Sequence, residues 1–270
     1  MPVGLAYLKE KKQILITDTD AGLIRIIDID GNYLNSINPD NLLDKPAAIF
    51  INDQKEIYIQ EMILEKVFVF DSEFRYLRVF GDERLQTPFN MIVDDETELV
   101  YLSTYLNNLI TIWNGKTCEF IKEFSLNSPL SLSIVSDKLF VVSAIDIELF
   151  TLKYSVDISE NNNNCIYVID KNTLEILKMI SISRFIHPKG LFVDDKMNFL
   201  FAALDLHSIN EDKIENSKPS KYLIKLNENG EFLQKTKLGL SGTFQVLFVE
   251  KKIFFTRGFR TPPLYMIEFK

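Results

Sequence analysis

The chain has 270 residues, 46% of them hydrophobic and 25% charged, which is ample for a sizeable core and excludes a disordered chain. Low counts of Gly 10 and Pro 9 exclude collagen-like and linker-dominated chains. A formal net charge of −8 argues against nucleic acid as a partner, because phosphate neutralisation needs a basic face.

No run reaches the roughly 18–20 apolar residues of a membrane helix. The opening residues, Met1 to Tyr7, lack the basic and apolar regions of a secretory signal. Cys118 and Cys165 have no metal-ligand companions nearby, so a disulfide framework and a zinc knuckle are disfavoured. These features predict a cytoplasmic protein without membrane insertion, its two thiols reduced and carried in outer strands.

In chain order, one plan recurs six times. Proline opens a short apolar strand over Pro2–Tyr7, followed by strands over Gln13–Asp18, Ile24–Asp28 and Tyr33–Ile37. The second unit reads Pro46–Ile51, Glu56–Gln60, Val67–Asp71 and Tyr76–Phe80. Pro88–Val93, Leu99–Ser103 and Ile110–Asn114 follow in the third, and Pro129–Ile134, Lys138–Ser143 and Ile166–Asp170 in the fourth. The fifth has Pro188–Val193, Asn198–Ala203 and Leu223–Asn227. In the sixth, Thr243–Val249 lacks the proline, and Lys252–Thr256 and Leu264–Glu268 complete it. Successive openings lie 44, 42, 41, 59 and 55 residues apart.

Proline suits a first strand position, where the ladder does not need its missing N–H. The third strands close on Asp28, Asp71, Asn114, Asp170, Asn227 and Glu268. Asp and Asn side chains accept backbone N–H groups two residues on, which predicts a tight turn into a fourth strand.

Short antiparallel strands repeating at this period form propeller blades, because one such sheet buries both faces only by stacking on its neighbours. The expectation is an all-β, six-bladed β-propeller of four-stranded antiparallel blades, the last one three-stranded. It is one domain over 1–270, with blades at 1–45, 46–87, 88–128, 129–187, 188–242 and 243–270. No fourth strand follows Glu268, so the outer edge of blade six is expected to stay open. The chain is then a monomer, or assembles through that edge.

The first unit carries Gly4-Leu-Ala, Thr17-Asp-Thr-Asp, Ile27-Asp-Ile-Asp-Gly and Tyr33-Leu. This pattern resembles the NHL repeat. In the third unit Leu106-Asn-Asn-Leu-Ile resembles the family's Asn-Asn-Arg-Ile segment, with Leu109 where arginine is usual. The resemblance spans the chain and implies a fold more than a function, since propellers host binders, lactonases, lyases and scaffolds. Some NHL proteins bind RNA. That reading requires a continuous basic face, which the scattered lysines and arginines do not promise.

Two units carry long insertions between their second and third strands. One runs from about Ile145 to Asn164, with Asp146, Glu148, Asp157, Glu160 and an Asn161-Asn-Asn-Asn run. The other runs from about Asp205 to Ser220, with His207, Glu211, Asp212 and Glu215. Both are expected on one face, as a raised acidic wall. That face should also collect Asp18, Asp20, Glu61 and Tyr105, with Arg257 and Arg260 flanking Phe259, a set suited to gripping a carboxylate or phosphate.

Catalytic signals are sparse. No Gly-x-Ser-x-Gly elbow, phosphate loop or metalloprotease helix is present. The only histidines are His187, expected to cap or pack at a blade junction, and His207, which disfavours zinc. Neighbouring six-bladed families hold calcium in the channel, and here Asp18, Asp20, Asp146 and Asp205 with Asn90 could supply oxygens. Asp94-Asp95 and Asp194-Asp195 are read as turns on the opposite face. The leading reading is a non-enzymatic binding module without cofactor, taking a protein partner through Asp146, Asp205, His207, Arg257, Phe259 and Arg260. The alternative is a calcium-dependent lactonase or esterase.

Overall fold

β-Branched and aromatic residues alternate along short segments, and Asp or Asn caps the turns between them, so each stretch closes on its predecessor as an antiparallel strand. A computed structural model describes residues 1–86, 88–144, 163–205, 221–238, 243–249, 252–257 and 264–268. Sheet one contains β1 (Pro2–Leu8), β2 (Gln13–Asp18), β3 (Leu23–Asp28) and β4 (Tyr33–Ile37). Sheet two contains β5 (Pro46–Ile51), β6 (Ile57–Glu61), β7 (Lys66–Phe70) and β8 (Tyr76–Phe80). Sheet three contains β9 (Pro88–Asp94), β10 (Leu99–Thr104), β11 (Leu109–Asn114) and β12 (Phe120–Ser125). Sheet four contains β13 (Pro129–Val135), β14 (Lys138–Ser143), β15 (Cys165–Asp170) and β16 (Ile176–Ser181). Sheet five contains β17 (Phe185–Val193), β18 (Phe199–Asp205), β19 (Lys221–Leu226) and β20 (Phe232–Lys237). The sixth contains β21 (Thr243–Val249), β22 (Lys252–Arg257) and β23 (Leu264–Glu268).

Strand order within every sheet follows the sequence, so each is a simple meander. The first strands pack in series, β1 on β5, β9, β13, β17 and β21 in turn, and β21 returns to β1. The result is a propeller with five complete four-stranded blades and a three-stranded sixth sheet. Apolar layers fill the gaps between blades. Phe80 meets Trp113 at 5.6 Å between sheets two and three, and Phe140 meets Phe199 at 5.7 Å between four and five. Each such ring removed from water is worth about 1.5–3 kcal/mol.

Around the channel the inner strands are tied by side chains that replace ladder bonds. Gly4 N–H donates to Thr17 Oγ1 at 2.8 Å, and that hydroxyl donates to Ala47 O of the next sheet at 2.5 Å. Ser103 does the same between Asn90 N (3.1 Å) and Leu130 O (2.6 Å). Thr256 links Gln245 N (3.1 Å) to Val3 O (2.9 Å) and so closes the ring. A Cβ at Gly4 would stand 2.8 Å from Thr17 Oγ1 and collide with the Ala47 carbonyl, so only glycine leaves this bridge room.

The Asx turns form as expected. Asp28 accepts from Asp30 N and Asn32 N at 2.9 and 2.8 Å, and Asp71, Asn114, Asp170 and Asn227 repeat the geometry. Three expectations are corrected. The fifth inner strand begins at Phe185, so Pro188 lies within β17 where the register shifts, a bulge that tolerates a residue without N–H. His187 is therefore within a strand and not at a junction; it is buried, with φ 52, and so packs and does not cap. Neither free cysteine is in an outer strand: Cys165 opens the third strand β15, buried, and Cys118 sits in the turn before β12.

Among the described residues no strand covers β23, and Met266 is 39% exposed. Residues at the same register of the complete sheets, Ile26, Val69, Ile112, Val168 and Leu223, are all buried. No described helix is long and apolar enough to cross a membrane.

Candidate functional site

Antiparallel register determines which residues share a face. Asp18, Glu61, Thr104, Ser143, Asp205 and Arg257 end their second strands opposite the first residues of the inner strands. Residues 19–22, 62–65 and 105–108 join second to third strands in sheets one to three. In sheets four and five the same connections are 144–164 and 206–220. Both long connections therefore depart from adjacent blades on one face. Asp94 and Asp194 end or follow inner strands at the other face, as expected, and each accepts from its own turn.

The carboxylates of the insertion face have partners already. Asp18 accepts from Arg25 Nε at 2.7 Å and pairs with the α-amino group of Met1. Burial works to raise its pKa, but these hydrogen bonds outweigh burial and hold it below the ordinary value. Glu61 is fully buried and caps its own connection, accepting from Lys45 N and from Leu64 N at 2.6 Å. Asp205 has a wholly buried side chain gripped by Arg184 through two bonds of 2.8 Å and by Lys235 at 2.9 Å. Of the binding residues expected from sequence, Asp205 is thus buried and held between Arg184 and Lys235. Arg257 ends β22 on the insertion face, while Asp146, His207, Phe259 and Arg260 lie outside the described residues, with the rest of the insertion residues.

The calcium set does not converge among its described members. Asp18 and Asp205 belong to sheets one and five and are each neutralised by their own cations. Asp20 is exposed, and Asn90 Oδ1 accepts from Leu132 N at 3.1 Å. Among the described residues no group of three or more His, Cys, Asp or Glu is arranged to hold a metal.

A cavity of about 320 Å³ runs along the channel, lined by residues of all six inner strands. Asn90 and Gln245 line its end nearer the insertion face, with Ser131 at the same level of β13. Each accepts an N–H of the next sheet: Asn90 from Leu132 at 3.1 Å, Gln245 from Leu5 at 2.6 Å and Ser131 from Gly190 at 2.9 Å. Sequence reasoning missed Gln245 and Ser131. The available signal for Gln245 was a long amide amid the apolar run of β21, whereas Ser131 shares β13 with Ser133 and does not stand out. Sequence reasoning also missed Arg184 and Lys235, whose signal was the need of a buried Asp205 for counter-charge.

No family model matches the chain, and no curated protein does. Solved structures do. Hydrazine synthase of Kuenenia stuttgartiensis superposes with a TM-score of 0.68 at 11% identity, covering 94% of this chain and 73% of that one. A Bacteroides caccae protein of unknown function gives 0.64 at 10% identity, covering 87% and 81%. Virginiamycin B lyase from Staphylococcus aureus gives 0.58 at 14% identity, covering 100% and 84%. At such identities the likeness shows the propeller fold alone.

Proposed function

We propose that the chain is a non-enzymatic binding module that takes a protein partner on its insertion face. One observation carries this reading: connections 144–164 and 206–220 leave neighbouring blades on the same face, beside Arg257 at the end of β22. Long connections on a rigid scaffold are where propellers place recognition. The engaged state of Asp18, Glu61 and Asp205 supports it further, since these carboxylates anchor loops and blades and are not poised as acids or bases. The reading requires no cofactor. The free thiols of Cys118 and Cys165 are in keeping with a reducing, cytoplasmic setting.

Charge reversal at Arg257 and Arg260 tests the chemistry of the grip. The double variant R257E/R260E is expected to lose partner capture in affinity enrichment while circular dichroism and the melting temperature show that it stays folded. Undiminished capture by a folded variant contradicts the assignment.

A further inference from the structure

We infer that the central channel, in its half away from the insertions, binds one small, neutral aromatic molecule that carries hydrogen-bond acceptors. The cavity of about 320 Å³ is lined by the middle and far portions of the inner strands. Its size falls at the lower end of the range for small-molecule sites, roughly 300–1,000 Å³. Every described residue lining it is uncharged. An ion entering such a lining would lose its hydration without a counter-charge, so the site discriminates against charged ligands.

Two features give the lining a directional chemistry. Asn90 Oδ1 and Gln245 Oε1 each accept a backbone N–H from the next sheet. A backbone N–H can only donate, so the oxygen of each amide must face it, and the orientation of both amides follows. Their NH2 groups have no acceptor among the described residues, and both side chains line the cavity. β9 and β21, which carry them, stand across the channel from each other, separated by two blades either way around the ring. The site therefore offers donors from two opposite walls.

Aromatic surface lies further along the inner strands. Phe192 is 40% exposed, and its ring stands 4.6 Å from that of Phe248 at 34°, on adjacent blades. Tyr7 and Phe50 line the same cavity. A tilted ring pair with one exposed member, lining the same cavity as two amide donors, matches a flat molecule with carbonyl-type oxygens, its face against the rings. This inference is independent of the partner-binding reading, which concerns the opposite face.

The probe is 6-propionyl-2-(dimethylamino)naphthalene, neutral and aromatic, with a ketone and a solvent-sensitive emission. Titration into the purified chain is expected to give a saturable blue shift at one molecule per chain. Asn90→Asp and Gln245→Glu keep the oxygen that Leu132 and Leu5 need but replace the inward donor by an anionic acceptor. Each is expected to weaken binding by at least about tenfold, or about 1.4 kcal/mol. Phe192→Ala, which leaves both amides intact, is expected to weaken it similarly and serves if the charged variants fail to fold. Anilinonaphthalene sulfonate, of similar size but anionic, should not compete. A channel that holds only water gives no saturable shift, and that result overturns the inference. So does binding that folded variants leave unchanged, or equal binding of the sulfonate.

Discussion

Gln60 occupies the strand position at which Thr17, Ser103 and Thr256 bridge neighbouring blades. Its side chain is fully buried, and among the described residues neither its amide oxygen nor its nitrogen has a partner. Val142 and Leu204 show that the position also accepts an apolar residue, in sheets four and five. An orphaned buried polar group costs about 1–3 kcal/mol. Gln60→Leu preserves the volume and removes both orphans, so it is expected to stabilise the chain by about that amount in urea unfolding; a lower midpoint would count against this account. The hydroxyl bridges themselves were not legible in the sequence. A threonine in a strand reads as β-propensity, and its partners Ala47 and Val3 are met only once the blades stack.

Glu56 gives a second residue-scale prediction. Arg78 donates to both its carboxylate oxygens at 2.7 and 2.6 Å, Tyr58 adds a bond of 3.0 Å, and Arg78 Nε reaches Gly115 O of sheet three. The Arg78 hydrogen bonds, working against burial, hold the Glu56 pKa below its ordinary value of 4.5. The unfolded chain therefore binds the acid proton more readily. The stability from this group is present above the ordinary value and is lost as pH falls through the depressed one. Between pH 6 and 3 the melting temperature of the parent should fall more steeply than that of Glu56→Gln. Parallel curves would contradict the linkage.

At the scale of elements, local chemistry was legible and long-range chemistry was not. Asp28, Asp71, Asn114, Asp170 and Asn227 could be assigned to turns because each side chain bonds backbone only two to four residues away. Asp205 could not be assigned, because Arg184 lies before β17 and Lys235 on β20, and only the folded sheet brings them together. The start of β17 was misjudged for a related reason: proline marks a strand opening by preference, and Pro188 instead occupies a bulge. Asp205→Asn removes the shared counter-charge of two half-buried cations and is expected to cost about 3 kcal/mol. A loss under about 0.5 kcal/mol in chemical denaturation would return Asp205 to the binding residues.

For the whole molecule, the periodic prolines and capped strands made the blades readable, whereas ring closure was not readable at all. It depends on Gln245 Oε1 meeting Leu5 N and on Thr256 Oγ1 meeting Val3 O, contacts between the two ends of the described chain. The ring sets sheets four and five side by side, so strand ends from which two connections more than forty residues apart in sequence depart lie on one face. The measurement that bears most directly on this account replaces 145–163 and 206–220 together by short turns with the sequence of residues 19–22. Crosslinked partners are then quantified by mass spectrometry against the parent chain, with circular dichroism confirming the fold. The account predicts that the shortened chain keeps its β signature and loses the partners, and that parental crosslinks map to Lys153, Lys213 or Lys218 within the insertions. Retention of the same partners by the folded, shortened chain would contradict it.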